Sequence, residues 1–213
     1  MKKLLHNIER FLYRHRINSV FQYIVVAMAT IYVLSLFNFS NNLLKSFILT
    51  SRGLLNFEIW RIFTFLIIPP FSGPINALLY FYFLYFIASN LEKTWGLAKF
   101  ILFYTIGIIS SIAACFISGI GLNTYLNLSL LFAFALIHPE QELLLFFVIP
   151  IKMKWIAVLN LAYYIFNFIK GGTIIQINIV FSLINVIVFF GGDILDQIKR
   201  FNYRMKMKRN YRN

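Results

Sequence analysis

The chain has 213 residues, 60% of them hydrophobic and only 13% charged, where soluble domains carry about 45–50% apolar and about 25% charged residues. This composition excludes a soluble domain and a disordered chain. Seven acidic residues, three histidines and a single cysteine, Cys115, leave no internal disulfide, no cysteine-based zinc site and little acid–base chemistry.

A spanning helix needs roughly 20 mostly apolar residues. The first candidate runs from Asn18 to Asn38. A longer apolar stretch from Ile59 to Ser89 is broken by Pro69, Pro70, Gly73 and Pro74. Its first part, Ile62 to Pro70, reads as a surface or membrane-dipping segment. The second span is Ile75 to Ser89, the third Lys99 to Ser118, and the fourth Leu122 to Ile137. Leu143 to Ile151 is half a span long, ends around Pro150, and reads as interfacial. The fifth and sixth spans are Met153 to Ile169 and Thr173 to Leu195. The runs are continuous rather than alternating, so they predict helices, and hydrocarbon admits only helices or closed barrels. The expected fold is an all-α, six-helix polytopic bundle over residues 18–195. A basic amphipathic N-terminus (1–17) precedes it and a basic tail (196–213) follows.

Lysine and arginine orient the bundle. With both termini in the cytoplasm, all but Lys45, Arg52, Arg61 and Lys170 of the 20 basic residues fall inside. The net charge of +13 is then accounted for by topology and by anionic lipid at the inner leaflet. The bilayer of a bacterial cytoplasmic membrane is the expected partner. Nucleic acid is not, and no cofactor or metal is expected.

Two clusters stand out. Glu58, Trp60 and Arg61 lie in the long connection after the first span, where Trp anchors at headgroup level and Arg caps carbonyls or binds phosphate. Glu92 and Gly96 lie at the cytoplasmic turn between the second and third spans, where Glu92 can accept hydrogen bonds from the loop that Gly96 tightens.

In this order, Trp60-Arg61, then Glu92 with Gly96, then Ala133-Phe134-Ala135, Pro139 and Phe146 to Ile151 before Lys154-Trp155, the chain resembles the rhomboid-like superfamily, which includes intramembrane proteases and the Derlin-type branch. The resemblance covers Ser19 to Asp193. It implies a six-helix core with a serine on the fourth span and a histidine on the sixth. The best serine match is Ser129 in Asn127-Leu128-Ser129-Leu130, without the flanking glycines; a second register puts Asn123 or Thr124 there. On the sixth span Asn178-Ile179-Val180-Phe181 puts Phe181 at the position of the base. The family's oxyanion-site Asn falls at Tyr80, with Asn76 a turn away. His6, His15 and His138 lie elsewhere. A serine without base or oxyanion donor has little claim to catalysis.

Asn123, Asn127, Ser129, Asn178, Phe181, Ser182 and Asn185 therefore read as the faces of a remnant cavity between the fourth and sixth spans, or as packing contacts between helices. The resemblance implies a pseudoprotease that takes transmembrane helices of client proteins laterally between the second and fifth spans. The alternatives are an active serine protease centred on Ser129 and a small transporter or lipid-interacting protein.

Overall fold

The computed structural model of the chain describes residue 10 and residues 19–37, 41–69, 73–145 and 149–210. The expected amphipathic N-terminus lies outside the described residues apart from Arg10. The chain is mostly helical. In order come α1 (Phe21–Leu36), three short helices α2 (Asn41–Phe47), α3 (Ser51–Leu55) and α4 (Arg61–Thr64), then α5 (Pro74–Trp95), α6 (Leu97–Ser118), α7 (Asn123–Ile137), α8 (Met153–Lys170) and α9 (Thr173–Asn210). Strand β1 (Leu49–Thr50) pairs with β2 (Ile120–Gly121), and β3 (Glu142–Leu145) pairs with β4 (Ile149–Lys152), both antiparallel.

Among the described residues three helices are long and apolar enough to cross a membrane: α5, α6 and the first 19 residues of α9, Thr173–Gly191. Helices α1 and α7 are apolar but have 16 and 15 residues, about 24 and 22 Å at 1.5 Å per residue. A typical hydrocarbon core is about 30 Å thick. In α8, Lys154, Asn160, Asn167 and Lys170 dilute an 18-residue helix. The apolar runs are thus helical where the sequence places them, but they differ in their capacity to span.

The six longer helices run alternately between two poles. At one pole, Ser19 before α1 meets Glu92 at the end of α5, and Thr94 meets His138 after α7. Trp95 packs on Phe189 and Phe190 of α9 there. At the other pole β1 joins β2, and Asn123 at the start of α7 reaches the Ile68 carbonyl. Lys93, Lys99, Lys152 and Lys154 belong to the first pole; Lys45, Arg52, Arg61 and Lys170 belong to the second.

The core is aromatic. Phe21 meets Phe100 and Tyr104 edge-on, and Trp95, Phe103, Phe189 and Phe190 form a second cluster with the Lys99 ammonium over Trp95 and Phe189. Gly107 lets α6 approach α7 and α9. A methyl there would collide with Leu126 and stand 2.8 Å from Asn185 Nδ2.

Three features differ from the sequence reading. In the interfacial stretch around Leu143 to Ile151, Glu142–Leu145 and Ile149–Lys152 pair as a β-ribbon, because Met153 and Lys154 N–H groups return to the Gln141 and Pro139 carbonyls and fix its base. Helix α9 does not end with the apolar run at Leu195 but continues to Asn210. The Glu92 side chain does not serve the Gly96 turn. It accepts from the Ser19 hydroxyl at 2.6 Å and from the Phe21 N–H at 3.3 Å, and so caps α1 from a neighbouring helix. Gly96 makes the one-residue turn between α5 and α6 at φ +79° with its N–H on the Glu92 backbone carbonyl at 2.9 Å, a conformation that glycine adopts readily.

Candidate functional site

Arg61 holds the connection after α1. Its guanidinium pairs with Glu58 and donates to the Lys45 and Ile48 carbonyls at 3.0 and 2.7 Å. Trp60 beside it is 53% exposed, among Phe57, Ile59 and Phe63, which are also exposed. A planar donor fork that gathers carbonyls next to an exposed indole suits a loop at the bilayer interface.

Six polar residues of α7 and α9 are buried: Asn123, Asn127, Ser129, Asn178, Ser182 and Asn185. Each is engaged. Asn178 accepts from the Leu122 N–H at 3.0 Å and donates to the Ile120 and Ile174 carbonyls at 3.0 and 2.9 Å and to Ser118 Oγ at 3.4 Å. Ser182 donates to the Tyr125 carbonyl at 2.6 Å and lies 3.2 Å from the Tyr164 hydroxyl of α8. Ser129 donates to the Leu126 carbonyl at 2.6 Å and accepts from Asn185 Nδ2 at 3.2 Å. The group facing Ser129 is thus Asn185, not Phe181, which is half-buried one turn away. A carboxamide nitrogen is a donor and cannot take the serine's proton. Asn185 Oδ1 is buried without a partner among the described residues.

The expected cavity between the fourth and sixth spans is therefore filled by side chain–backbone bonds. The open space lies elsewhere. A cleft of about 300 Å³ opens between α5, α7, α8 and the β3–β4 ribbon. Tyr80, Phe83, Leu84 and Ile87 line it from α5, Asn127, Leu128 and Leu131 from α7, Leu143 and Ile151 from the ribbon, and Ile156, Leu159 and Asn160 from α8. Of the seven predicted cavity residues only Asn127 lines it. Its Nδ2 donates to the Tyr80 hydroxyl at 2.9 Å, and its Oδ1 accepts from Tyr104 at 3.5 Å. Tyr80 entered the sequence reading only as the residue at the family's oxyanion-site position, and Asn160 escaped it as a site residue. Tyr80 sits in an aromatic run of α5, and Asn160 is one of several amides on apolar helices.

The cleft's outer wall is lightly attached. Only Met153 and Tyr164 of α8 are buried, and Leu159 is 67% exposed. At its base Glu140 bonds Lys154 at 2.6 Å and Lys152 at 2.9 Å. Those two ammoniums, Lys154 first, hold the Glu140 carboxyl at about 2, well below its ordinary 4.5, and Glu140 in turn pushes Lys152 up. Among the described residues no three His, Cys, Asp or Glu gather to hold a metal ion.

No family model matches the chain, and neither do any curated protein or solved structure.

Proposed function

We propose that the chain is a rhomboid-like membrane protein of six spans with cytoplasmic termini, lacking the catalytic dyad, and that it receives a transmembrane segment of a client protein in the cleft between α5 and α8. The cleft carries this reading. It is apolar and open beside a helix with only two buried side chains. It also stands between the second and fifth apolar helices, where the resemblance puts client entry. The alternating helices and the distribution of Lys93, Lys99, Lys152 and Lys154 against Lys45, Arg52, Arg61 and Lys170 support the topology. Short α1 and α7 favour a locally thinned bilayer. In this reading Ser129 is a contact between α7 and α9, because its hydroxyl is bonded to Leu126 and Asn185.

The test is binding of a labelled leucine–alanine single-span helix to the protein in vesicles, read by energy transfer. Saturable binding is expected, and Leu159→Trp, which fills the cleft, abolishes it. Val188→Trp on the exposed face of α9 leaves it intact. Equal effects of the two substitutions, or no saturable binding, refute the reading. Fluorophosphonate labelling that disappears in Ser129→Ala would overturn the loss of catalysis.

A further inference from the structure

We infer that the client segment taken by this cleft carries a side-chain carboxamide, an Asn or Gln, which Tyr80 and Asn160 recognise; the inference rests on the client-binding reading above. The apolar walls alone cannot choose an occupant, because lipid tails are as apolar as leucine side chains. Discrimination has to come from the polar groups that line the cleft.

Two of these keep hydrogen-bonding capacity. The Tyr80 hydroxyl accepts from Asn127 Nδ2 at 2.9 Å, and its own proton has no acceptor among the described residues. Asn160 donates through Nδ2 to the Ile156 carbonyl at 2.8 Å, and its Oδ1 has no partner among the described residues. The cleft thus presents one donor and one acceptor that nothing among the described residues satisfies. In hydrocarbon, water is not there to do so, and an apolar occupant leaves both groups unpaired at a cost.

The complement is a group that accepts and donates at once. A carboxamide does: its carbonyl takes the Tyr80 proton and its NH₂ donates to Asn160 Oδ1. A phospholipid ester carbonyl only accepts. A serine or threonine hydroxyl in a helix commonly bonds its own i−4 carbonyl. A carboxylate is far costlier to bring into hydrocarbon. Asn127 is already bonded on both sides, to Tyr80 and Tyr104, so it positions Tyr80 and does not itself receive the ligand.

The experiment uses the full chain in phosphatidylcholine vesicles and three labelled single-span helices, a leucine–alanine host and the same host with one central Asn or Ser. The Asn helix is expected to bind roughly 3- to 15-fold tighter than the host, the range set by measured interhelical hydrogen bonds in membranes, and the Ser helix close to the host. Tyr80→Phe and Asn160→Leu are each expected to remove that gain, read within each variant as the ratio of Asn-helix to host affinity; the Asn160 side chain is half-buried and, among the described residues, bonds only within its own helix, so its replacement leaves the fold in place. Equal binding of the host and Asn helices overturns the inference while client binding stands. So does a gain that survives both substitutions, which would come from pairing between the helices themselves. Failure of every helix to bind removes the client reading, and the inference with it.

Discussion

Asn178 offers the sharpest test of how the two polar faces work. Its amide makes three bonds outside its own helix, to the Leu122 N–H, the Ile120 carbonyl and Ser118 Oγ. Asn178→Leu removes them while keeping the number and branching of side-chain heavy atoms. A hydrogen bond between membrane helices averages about 0.6 kcal/mol, with a maximum of about 1.7. Three such bonds give about 2 kcal/mol as a floor. Two of the abandoned partners are backbone groups at the junction of β2 and α7, and a buried unpaired polar group costs about 1–3 kcal/mol. The expected loss is therefore about 2–4 kcal/mol. Reversible unfolding of the protein in bicelles, followed by helical circular dichroism, measures it against Asn167→Leu. Asn167 Nδ2 bonds only the Tyr163 carbonyl of its own helix, so that substitution is expected to be neutral to within about 0.5 kcal/mol, as for an uninvolved surface site. If both variants behave alike, Asn178 does not join α9 to the β2–α7 junction, and these amides are open for another role.

Gly107→Ala drives a methyl into Leu126 and against Asn185; overpacking of this kind costs about 1–3 kcal/mol, and adding Leu126→Ala is expected to return part of the loss in the same assay. The Glu140 clamp on Lys152 and Lys154 gives a pH dependence with a definite sign. Its folded carboxyl titrates at about 2 against an ordinary 4.5, so its contribution is complete above 4.5 and is lost as pH falls through about 2. A spin label at exposed Leu144 should stay ordered down to pH 4.5 and loosen towards pH 2, and Glu140→Gln should show the loose spectrum at neutral pH; loosening of the native protein already at pH 5 would refute the clamp.

The helices were readable because an apolar run of 15 or more residues has few other structures open to it. Their shared faces were readable too. Asn178, Ser182 and Asn185 do lie on one side of α9, as three- and four-residue spacing requires, and all three are buried. Register between helices was not. Spacing says which residues share a face but not their height against a partner, so Asn185 meets Ser129 where Phe181 was expected. The β3–β4 ribbon was hidden because its sequence is as apolar as a helix and lacks an obvious turn signal. Glu92 was placed beside its own turn because its partners, Ser19 and Phe21, lie more than 70 residues away. The remnant cavity expected between the fourth and sixth spans is closed for a related reason. The buried amides bond to nearby backbone and close the space around them, whereas the void opens where aromatic and aliphatic side chains of α5, α7 and α8 fail to interlock.

The light attachment of α8 bears on how this protein should be handled. A helix with two buried side chains takes its remaining solvation from whatever surrounds the bundle. In a bilayer, lateral pressure and acyl chains press it inwards. A detergent micelle supplies neither in the same measure, and short-chain surfactants can lodge in the cleft. The ribbon would travel with α8, because Glu140 and the carbonyls of Pro139 and Gln141 tie the two together. The width of the cleft is thus partly a property of the solvent, and nanodiscs of native lipid are the preparation in which its dimensions should be measured.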